Sequence, residues 1–158
     1  MDISFKLGNE KFNYRVCAIM ISNGKILAML DEGSPYYYLP GGRVEIGETA
    51  ENAVIREVQE ELGITPRIAR PLWLNQAFFT EDVENLRYHE LCVYFLMDIT
   101  DTELLSKGEK FTTKEGKRTH SFEWLAFDRL KDEYFYPRFL KKDIFSLPEV
   151  LAIRTEIE

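Results

Sequence analysis

The chain has 158 residues, of which 45% are hydrophobic and 30% charged, and its formal net charge at pH 7 is −7. These proportions are typical of one soluble globular domain, which we predict to span residues 1–158. The acidic balance argues against stable binding to nucleic acids or anionic membranes, because both need a basic surface. The apolar runs are far too short to span a membrane. No basic region followed by an apolar core marks a secretory signal, so a cytoplasmic location is the default expectation.

Two short strands open the predicted fold, at residues 16–21 and 25–30. The Asn23-Gly24 dipeptide between them favours a tight hairpin turn. A short aromatic strand is predicted at residues 36–39, and it leads into Pro40-Gly41-Gly42. The two glycines indicate a tight turn, and such a turn can bring backbone oxygen atoms close to a ligand.

An acidic helix is predicted between Thr49, which can cap its start, and Gly63, which suits the left-handed position at its end. Glu57, Glu60 and Glu61 have the spacing i, i+3 and i+4. At this spacing the three carboxylates fall within an arc of about 100° on one helix face. A separate apolar stripe beside them is suited to packing on a core.

The placement of these glutamates is unfavourable for a helix that serves stability alone. Glu57 and Glu61 repel each other by a few tenths of a kcal/mol, and the last turn disfavours negative charge by about 0.3–1 kcal/mol per residue. A divalent cation would turn this repulsion into binding, and carboxylate oxygens suit Mg²⁺ or Mn²⁺. Taken alone, three glutamates at this spacing also fit a solvated acidic face. The surrounding residues therefore decide between a cation site and a solvated acidic face.

The surrounding residues complete a longer pattern. Its members are Gly42, Glu48, Arg56-Glu57, Glu60-Glu61 and Gly63-Ile64. The segment 42–64 resembles the Nudix box without a departure, and its roughly nine fixed positions make a chance match rare. The resemblance implies an α/β fold, a Nudix-like α/β/α sandwich with a mixed central sheet and the box as a loop–helix–loop. It also implies Mg²⁺-dependent hydrolysis of a pyrophosphate bond in a nucleoside diphosphate linked to another group, with Mn²⁺ as the alternative cofactor.

The same resemblance assigns roles within the box. The implied metal ligands are Glu57, Glu60, Glu61 and the backbone carbonyl of Gly42. Arg56 would orient the glutamates, and Glu48 would brace the loop or bind a metal through water. One glutamate left partly unbound can accept a proton from the attacking water. We predict Glu57 in that catalytic role, with Glu60 as the alternative and Arg56 in support.

The second half of the chain completes the predicted fold. Longer strands are expected at residues 68–80 and 88–99, a polar loop at 107–119, a strand at 121–127 and helical segments around 128–133 and 138–145. Residues 91–97 are apolar throughout, which is typical of a central strand covered on both faces. A C-terminal helix would then cover the face opposite the acidic helix. Cys17 and Cys92 lie in apolar strands, which predicts two reduced core thiols.

Fewer residues outside the box bear on the substrate. Phe78 and Phe79 could stack on a nucleobase, although core packing is the alternative. Arg43, beside the glycine turn, is a further candidate for substrate binding. The proline that ADP-ribose-specific Nudix proteins tend to carry about 15 residues beyond the box is absent here.

A fourth acidic ligand is predicted from the polar loop. Glu115, next to Gly116, is the first candidate, with Glu109 and Glu123 as alternatives. A mobile loop could bring such a carboxylate onto bound substrate. The two histidines have no partner at metal-ligand spacing, so we predict surface or strand-end positions for His89 and His120.

Two other functions stay open on the sequence alone. One is hydrolysis of a non-nucleoside diphosphate, and the other is a nucleotide-sensing module that does not cleave its ligand. The intact set of glutamates disfavours the sensing module, because a pure binder has no need of crowded carboxylates. In each case the expected partner is a small nucleotide or nucleotide-like diphosphate, and a homodimer is left open.

Overall fold

Ten strands and two α-helices follow one another in the computed structural model, which describes all of residues 1–158. In chain order they are β1 (Ser4–Leu7), β2 (Glu10–Ile19), β3 (Ile21–Ser22), β4 (Lys25–Met29), β5 (Gly41–Arg43), α1 (Ala50–Leu62), β6 (Arg67–Thr80), β7 (Arg87–Asp98), β8 (Lys110–Glu115), β9 (Arg118–Ala126), α2 (Leu140–Asp143) and β10 (Ala152–Ile157). Short 3-10 turns lie at Leu104–Lys107 and Phe127–Asp132. The predicted hairpin is present, and both Asn23 and Gly24 have the positive φ that its tight turn requires.

The central sheet has six strands in mixed orientation. Its order is β1-β2-β7-β6-β10, and β5 pairs separately with β2. The pairs β2–β7 and β10–β6 are parallel, whereas β6 and β7 are antiparallel. Strand β7 lies between β2 and β6, which confirms the central position predicted for residues 91–97. A second, antiparallel sheet has the order β3-β4-β9-β8.

Helix α1 packs between the two sheets. Its buried Val54, Val58 and Leu62 belong to one core cluster with Val16 and Phe95 of the central sheet. The second sheet adds Leu27, Met29, Phe122 and Trp124 to this cluster. Burying one such side chain stabilises the fold by about 1.5–3 kcal/mol, which exceeds the repulsion among glutamates on the same helix. Core packing therefore holds the helix in place despite its acidic face.

The C-terminal segment covers the opposite face of the central sheet. Leu130, Phe135, Leu140 and Ile144 form a second core cluster with strand residues such as Tyr94. The α/β class, with helical layers on a mixed central sheet, is thus confirmed. The two cysteines are buried free thiols, as predicted, with their Sγ atoms 3.6 Å apart. Neither helix combines the length and the apolar character needed to cross a membrane.

The helix predicted at residues 138–145 is shorter in the structure. Helix α2 ends at Asp143. The N–H of Ile144 still bonds four residues back, whereas those of Phe145 and Ser146 bond three residues back. This tightening into 3-10 turns closes the helix before Pro148, which disfavours helical backbone in the residue preceding it.

The polar loop predicted at residues 107–119 is wrong. Strand β8 and the start of β9 lie there, joined by a turn at Gly116. Strand β8 is a sheet edge whose outer side chains are solvated, so it lacks the apolar run that marks a buried strand. Its inward anchor is Phe111, which stacks on Phe122 at a centroid distance of 5.1 Å.

Two further differences concern the edges of the fold. Residues 36–39 form single bridges only, between Tyr38 and Met29 and between Tyr37 and Phe135, instead of a regular strand. Strands β1 and β10 were not predicted. In β10 the charged Arg154 and Glu156 alternate with other residue types, and tertiary contact with β6 decides that the segment is a strand.

Candidate active site

The glycine turn and helix α1 meet at one edge of the central sheet. Gly41 and Gly42 pair with Cys17 and Val16 of β2. A Cβ atom on Gly41 would overlap the carbonyl oxygen of Val16, and one on Gly42 would overlap the Glu57 carboxylate. The overlap at Gly41 is with fixed backbone, so glycine is required there, whereas at Gly42 the Glu57 side chain would have to move.

Helix α1 has the ends that the sequence predicts. The Thr49 hydroxyl accepts a hydrogen bond from Asn52 N at 3.1 Å, and Gly63 ends the helix with a φ of 70°. The helix carries no basic residue in its last turn. The dipole at this end consequently adds to the repulsion among the glutamates instead of relieving it.

Arg56 ties the helix to the loop that precedes it. Its Nε and Nη2 donate to the two carboxylate oxygens of Glu48, at 2.7 and 3.0 Å. Nη2 also donates to the Arg43 carbonyl at 3.0 Å, and Nη1 donates to Glu57 at 2.9 Å and to Glu60 at 3.4 Å. The hydrogen bonds from Arg56 keep the pKa of Glu48 below its ordinary value. These contacts are compatible with the orienting and bracing roles that the resemblance implies for Arg56 and Glu48, and the roles stay predictions.

Glu61 and Glu57 are carboxylates in a poorly solvated place. Glu61 is 6% exposed and accepts one hydrogen bond, from Gly41 N at 2.9 Å. Burial, reinforced by the charge of Glu57, raises its pKa to about 9. Burial also raises the pKa of Glu57, although the hydrogen bond from Arg56 opposes the rise. Glu61 has no positively charged partner, and Glu57 has Arg56 alone. A bound cation would favour the ionised form of both carboxylates. Glu60 is the more exposed member, with 42% of its side chain accessible.

The β8–β9 hairpin carries Glu115 to the same place. Its charge contributes to the raised pKa of both Glu57 and Glu61, and the Thr113 hydroxyl donates to the Glu61 carbonyl. The two alternatives are engaged elsewhere. Glu109 pairs with Lys25 at 3.0 Å, and Glu123 accepts from Arg129 at 2.8 Å.

His120 fixes the position of Glu115, and sequence reasoning missed this role. Its Nε2 lies 2.8 Å from Glu115 Oε1, and its Nδ1 lies 2.8 Å from Asp31 Oδ2. Asp31 also accepts from the Tyr38 hydroxyl at 2.7 Å and from Ser121 N at 3.0 Å. These hydrogen bonds outweigh burial and lower the pKa of Asp31.

Of the surface and strand-end positions predicted for His120, the surface one is wrong, because the residue is 1% exposed; it lies near the start of β9. No local spacing could have shown the contact, since Asp31 lies 89 residues away in the sequence. His89 is exposed on β7, as predicted, and packs against Phe78 at a centroid distance of 4.4 Å.

The structure does not bring the two phenylalanines next to the glutamates. Phe78 pairs in register with His89, and Phe79 with Tyr88, at the end of the sheet where β6 finishes. Phe79 stacks on Tyr88 with centroids 5.0 Å apart. The Arg43 carbonyl accepts from Arg56 at the site, whereas the Arg43 guanidinium is 3.5 Å from Asp2. A role in substrate binding stays a prediction for Phe78, Phe79 and Arg43.

The donor set at this edge fits a divalent cation. The side chains do not form a preassembled cage of three ligands, because Arg56 holds Glu57 and Gly41 N holds Glu61. All available donors are nevertheless hard oxygens, and the missing Cβ of Gly42 leaves room for a carboxylate at the backbone. Glu57, Glu60, Glu61 and Glu115 are the side chains that could hold the ion.

Comparison with known proteins places this geometry in a family. The model of the NUDIX domain matches residues 11–142. An ADP-ribose pyrophosphatase of Methanocaldococcus jannaschii is 32% identical over 119 residues, which cover 73% of this chain and 68% of that protein. An 8-oxo-dGTP diphosphatase of Escherichia coli is 68% identical over 28 residues, covering 18% of this chain and 22% of that protein. A MutT protein structure from Bacillus halodurans shares the fold, with a TM-score of 0.63 and 17% identity over 92% of this chain and 89% of that one.

The chain belongs to the NUDIX family. At the level of the family, the prediction of a Nudix-type diphosphate hydrolase is confirmed.

Proposed function

We propose that this protein uses Mg²⁺, or Mn²⁺, to hydrolyse a pyrophosphate bond in a nucleoside diphosphate linked to another group. The observation that carries the proposal is the pair of poorly solvated carboxylates, Glu57 and Glu61, beside the Gly41-Gly42 backbone. A protein that only needed a stable fold would gain nothing from raising two carboxyl pKa values in this way. A diphosphate-cleaving site gains a cation there.

Each group in the site has a proposed task. Glu57, Glu60, Glu61, the Gly42 carbonyl and Glu115 are the proposed ligands. When bound, a divalent cation neutralises charge on the diphosphate oxygens and favours ionisation of a water molecule. Glu57, left partly free of the cation and oriented by Arg56, accepts the proton of the attacking water, with Glu60 as the alternative. Arg56 keeps Glu57 and Glu60 in position, and Glu48 fixes Arg56 in turn.

We expect the substrate to be a nucleoside compound that contains a pyrophosphate bond. Similarity to a protein named ADP-ribose pyrophosphatase makes ADP-ribose the first compound to test. The relatives named 8-oxo-dGTP diphosphatase and RNA pyrophosphohydrolase add 8-oxo-dGTP and RNA as further compounds to test. A non-nucleoside diphosphate is the second candidate class. The aromatic end of the sheet, with Phe78 and Phe79, is a proposed place for base stacking.

A substrate screen tests the proposal. ADP-ribose, 8-oxo-dGTP, a dinucleoside polyphosphate, a nucleotide sugar and a non-nucleoside diphosphate would be incubated with Mg²⁺, with Mn²⁺ or with EDTA. Phosphate would be measured after phosphatase treatment. We expect cation-dependent turnover of at least one nucleoside compound. Turnover of the non-nucleoside compound alone would favour the alternative substrate class. Binding without turnover of any compound would indicate a sensing module.

Glu60→Gln tests the role of the helix in the same assay. The substitution is nearly isosteric and relieves repulsion in the last turn, so the metal-free protein should melt at the same temperature or slightly higher. Turnover should fall by about tenfold or more, because a cation ligand loses its charge. The exposed Glu149 provides the matched control, Glu149→Gln, which should keep wild-type turnover. Wild-type turnover of Glu60→Gln at saturating Mg²⁺ would remove Glu60 from the site.

A further inference from the structure

Two arginines stand side by side on the face of the central sheet opposite α1. Arg15 of β2 and Arg43 of β5 are paired in register. Directly paired residues project to the same face, and their neighbours Val16 and Val44 point into the core cluster around α1. Like charges placed opposite each other in a sheet are destabilising. The pair therefore needs an explanation other than strand stability.

The guanidinium of Arg15 has no partner in the protein. The side chain is half-buried, yet none of its five N–H donors meets a hydrogen-bond acceptor or an ion-pair partner. Glu90 is close enough to act on its charge, but the Glu90 carboxylate accepts from Asn13 at 2.8 Å instead. Arg43 makes only the long contact to Asp2 at 3.5 Å. The two guanidinium groups on this face of the sheet are thus available to bind an anion.

The residues paired in register with Arg15 across the central sheet form a row, whose other members are Cys92, Asn75 and Arg154. This row contains further groups without partners. Asn75 is 2% exposed, and its Nδ2 donates to Glu156, while its Oδ1 has no partner. Arg154 Nε is likewise unpartnered, although Nη1 donates to Asp143. Buried polar groups in folded proteins are nearly always paired, and this row contains two that are not, Asn75 Oδ1 and Arg154 Nε. Of these two, only the Arg154 N–H can donate to an anion.

The row begins beside the proposed cation ligands. Val16, the chain neighbour of Arg15, pairs with Gly42, and a Cβ on Gly42 would overlap the Glu57 carboxylate. We propose that Arg15, together with Arg43, binds a phosphate group of the substrate on this face of the sheet. The inference rests on the proposed hydrolysis of a diphosphate, since it assigns one of that compound's phosphates. The planar guanidinium presents two parallel N–H donors to two phosphate oxygens, whereas a lysine ammonium acts as a point charge without this fixed geometry.

Binding measurements separate this assignment from the catalytic proposal. ADP and adenosine would be titrated calorimetrically into wild type, Arg15→Gln and Arg15→Lys, once in EDTA and once in Mg²⁺. Arg67→Gln is the matched control, because Arg67 pairs with Asp98 and Asp101 at the exposed start of β6. The EDTA series does not depend on hydrolysis, so it tests Arg15 even if no substrate is turned over.

We expect Arg15→Gln to weaken ADP binding by about tenfold and Arg15→Lys by less, with adenosine binding unchanged. For any compound that is turned over, KM should rise in Arg15→Gln while kcat changes by less than about threefold. Wild-type ADP affinity in Arg15→Gln would overturn the assignment. So would an equal loss in Arg67→Gln, an equal loss for adenosine, or the absence of ADP binding to wild type in both buffers.

Discussion

At the scale of single residues, Glu61 shows how burial prepares a carboxylate for a cation. Its side chain is almost inaccessible, one backbone N–H supports it, and Glu57 and Glu115 add negative charge nearby. Burial and like charge both favour the protonated form. A cation must displace this proton to bind, so metal affinity should increase with pH.

The titration of Glu61 predicts a stability change with pH. Below its ordinary value of 4.5 the carboxyl is protonated in the folded and the unfolded chain alike. Between pH 4.5 and about 9 only the unfolded chain releases the proton, so the metal-free protein should lose stability as pH rises through this window. Urea unfolding in EDTA at several pH values measures the slope of the free energy of unfolding against pH.

Glu61→Gln should reduce that slope and be more stable than wild type near pH 8. Glu149→Gln is the matched control, because Glu149 is exposed and its substitution should leave the slope unchanged. A pH dependence in Glu61→Gln equal to that of wild type would show that the carboxyl ionises normally.

The contacts of His120 lead to a second prediction at the scale of residues, which concerns turnover. Replacing it with Asn removes the link between Asp31 and Glu115, so Glu115 loses its fixed position. If Glu115 acts in the site, turnover should fall by about tenfold, and the loss in the double variant His120→Asn/Glu115→Gln should be less than additive. Steady-state kinetics of both single variants and the double variant measure the coupling.

Tyr38→Phe is the control for His120, because it removes a hydrogen bond to Asp31 and leaves the His120–Glu115 contact intact. It should retain most turnover. Thermal melts separate loss of folding from loss of position. Strictly additive losses in His120→Asn and Glu115→Gln would mean that the histidine does not act through this carboxylate.

At the scale of elements, helix α1 and the β8–β9 hairpin build the site together. The helix supplies three carboxylates from one sequence segment, and the hairpin supplies a fourth through tertiary packing. The hydrogen bond from the Thr113 hydroxyl to the Glu61 carbonyl joins the two elements at the C-terminal end of the helix. Local capping and the hairpin therefore both stabilise this end of the helix.

The start of α1 depends more on its own cap. Thr49→Ala removes the side-chain acceptor for Asn52 N, so the free energy of unfolding should fall by about 1 kcal/mol. Thr49→Ser keeps the hydroxyl and is the matched control, which should lose much less. Equal stability of the alanine and serine variants in urea unfolding would assign the helix start to core packing alone.

At the scale of the whole molecule, cation binding is linked to folding. A ligand that binds only the folded state stabilises it by RT ln(1 + [M]/Kd), which is about 2.7 kcal/mol at a hundred times Kd. For a chain of this length, the melting temperature should rise by about 5–10 °C in Mg²⁺ or Mn²⁺. Differential scanning calorimetry with and without the cation measures the shift, which should shrink as pH falls toward 5.

The double variant Glu57→Gln/Glu61→Gln tests where the cation binds. It should lose the cation-induced shift and keep a metal-free melting temperature at least equal to that of wild type, since two poorly solvated charges are removed. The control Glu84→Gln/Glu149→Gln changes two exposed glutamates and should keep the full shift. A full shift in the Glu57→Gln/Glu61→Gln variant would place the cation elsewhere.

Local sequence determined the parts of this protein whose forces act over a few residues. The cap at Thr49, the left-handed end at Gly63 and the turn at Asn23-Gly24 follow from backbone and side-chain preferences alone. The spacing of the glutamates fixes their shared helix face, because helical geometry is the same in every fold.

Only the tertiary structure decided which distant residues meet. Strands β8 and β10 depend on pairing with a neighbour, and polar edge strands carry little local pattern. The contact of His120 with Asp31 and the pairing of Arg15 with Arg43 join residues far apart in the chain. The pKa of Glu61 also depends on burial by the assembled core. Burial and long-range pairing exist only after folding, and local spacing therefore could not show them.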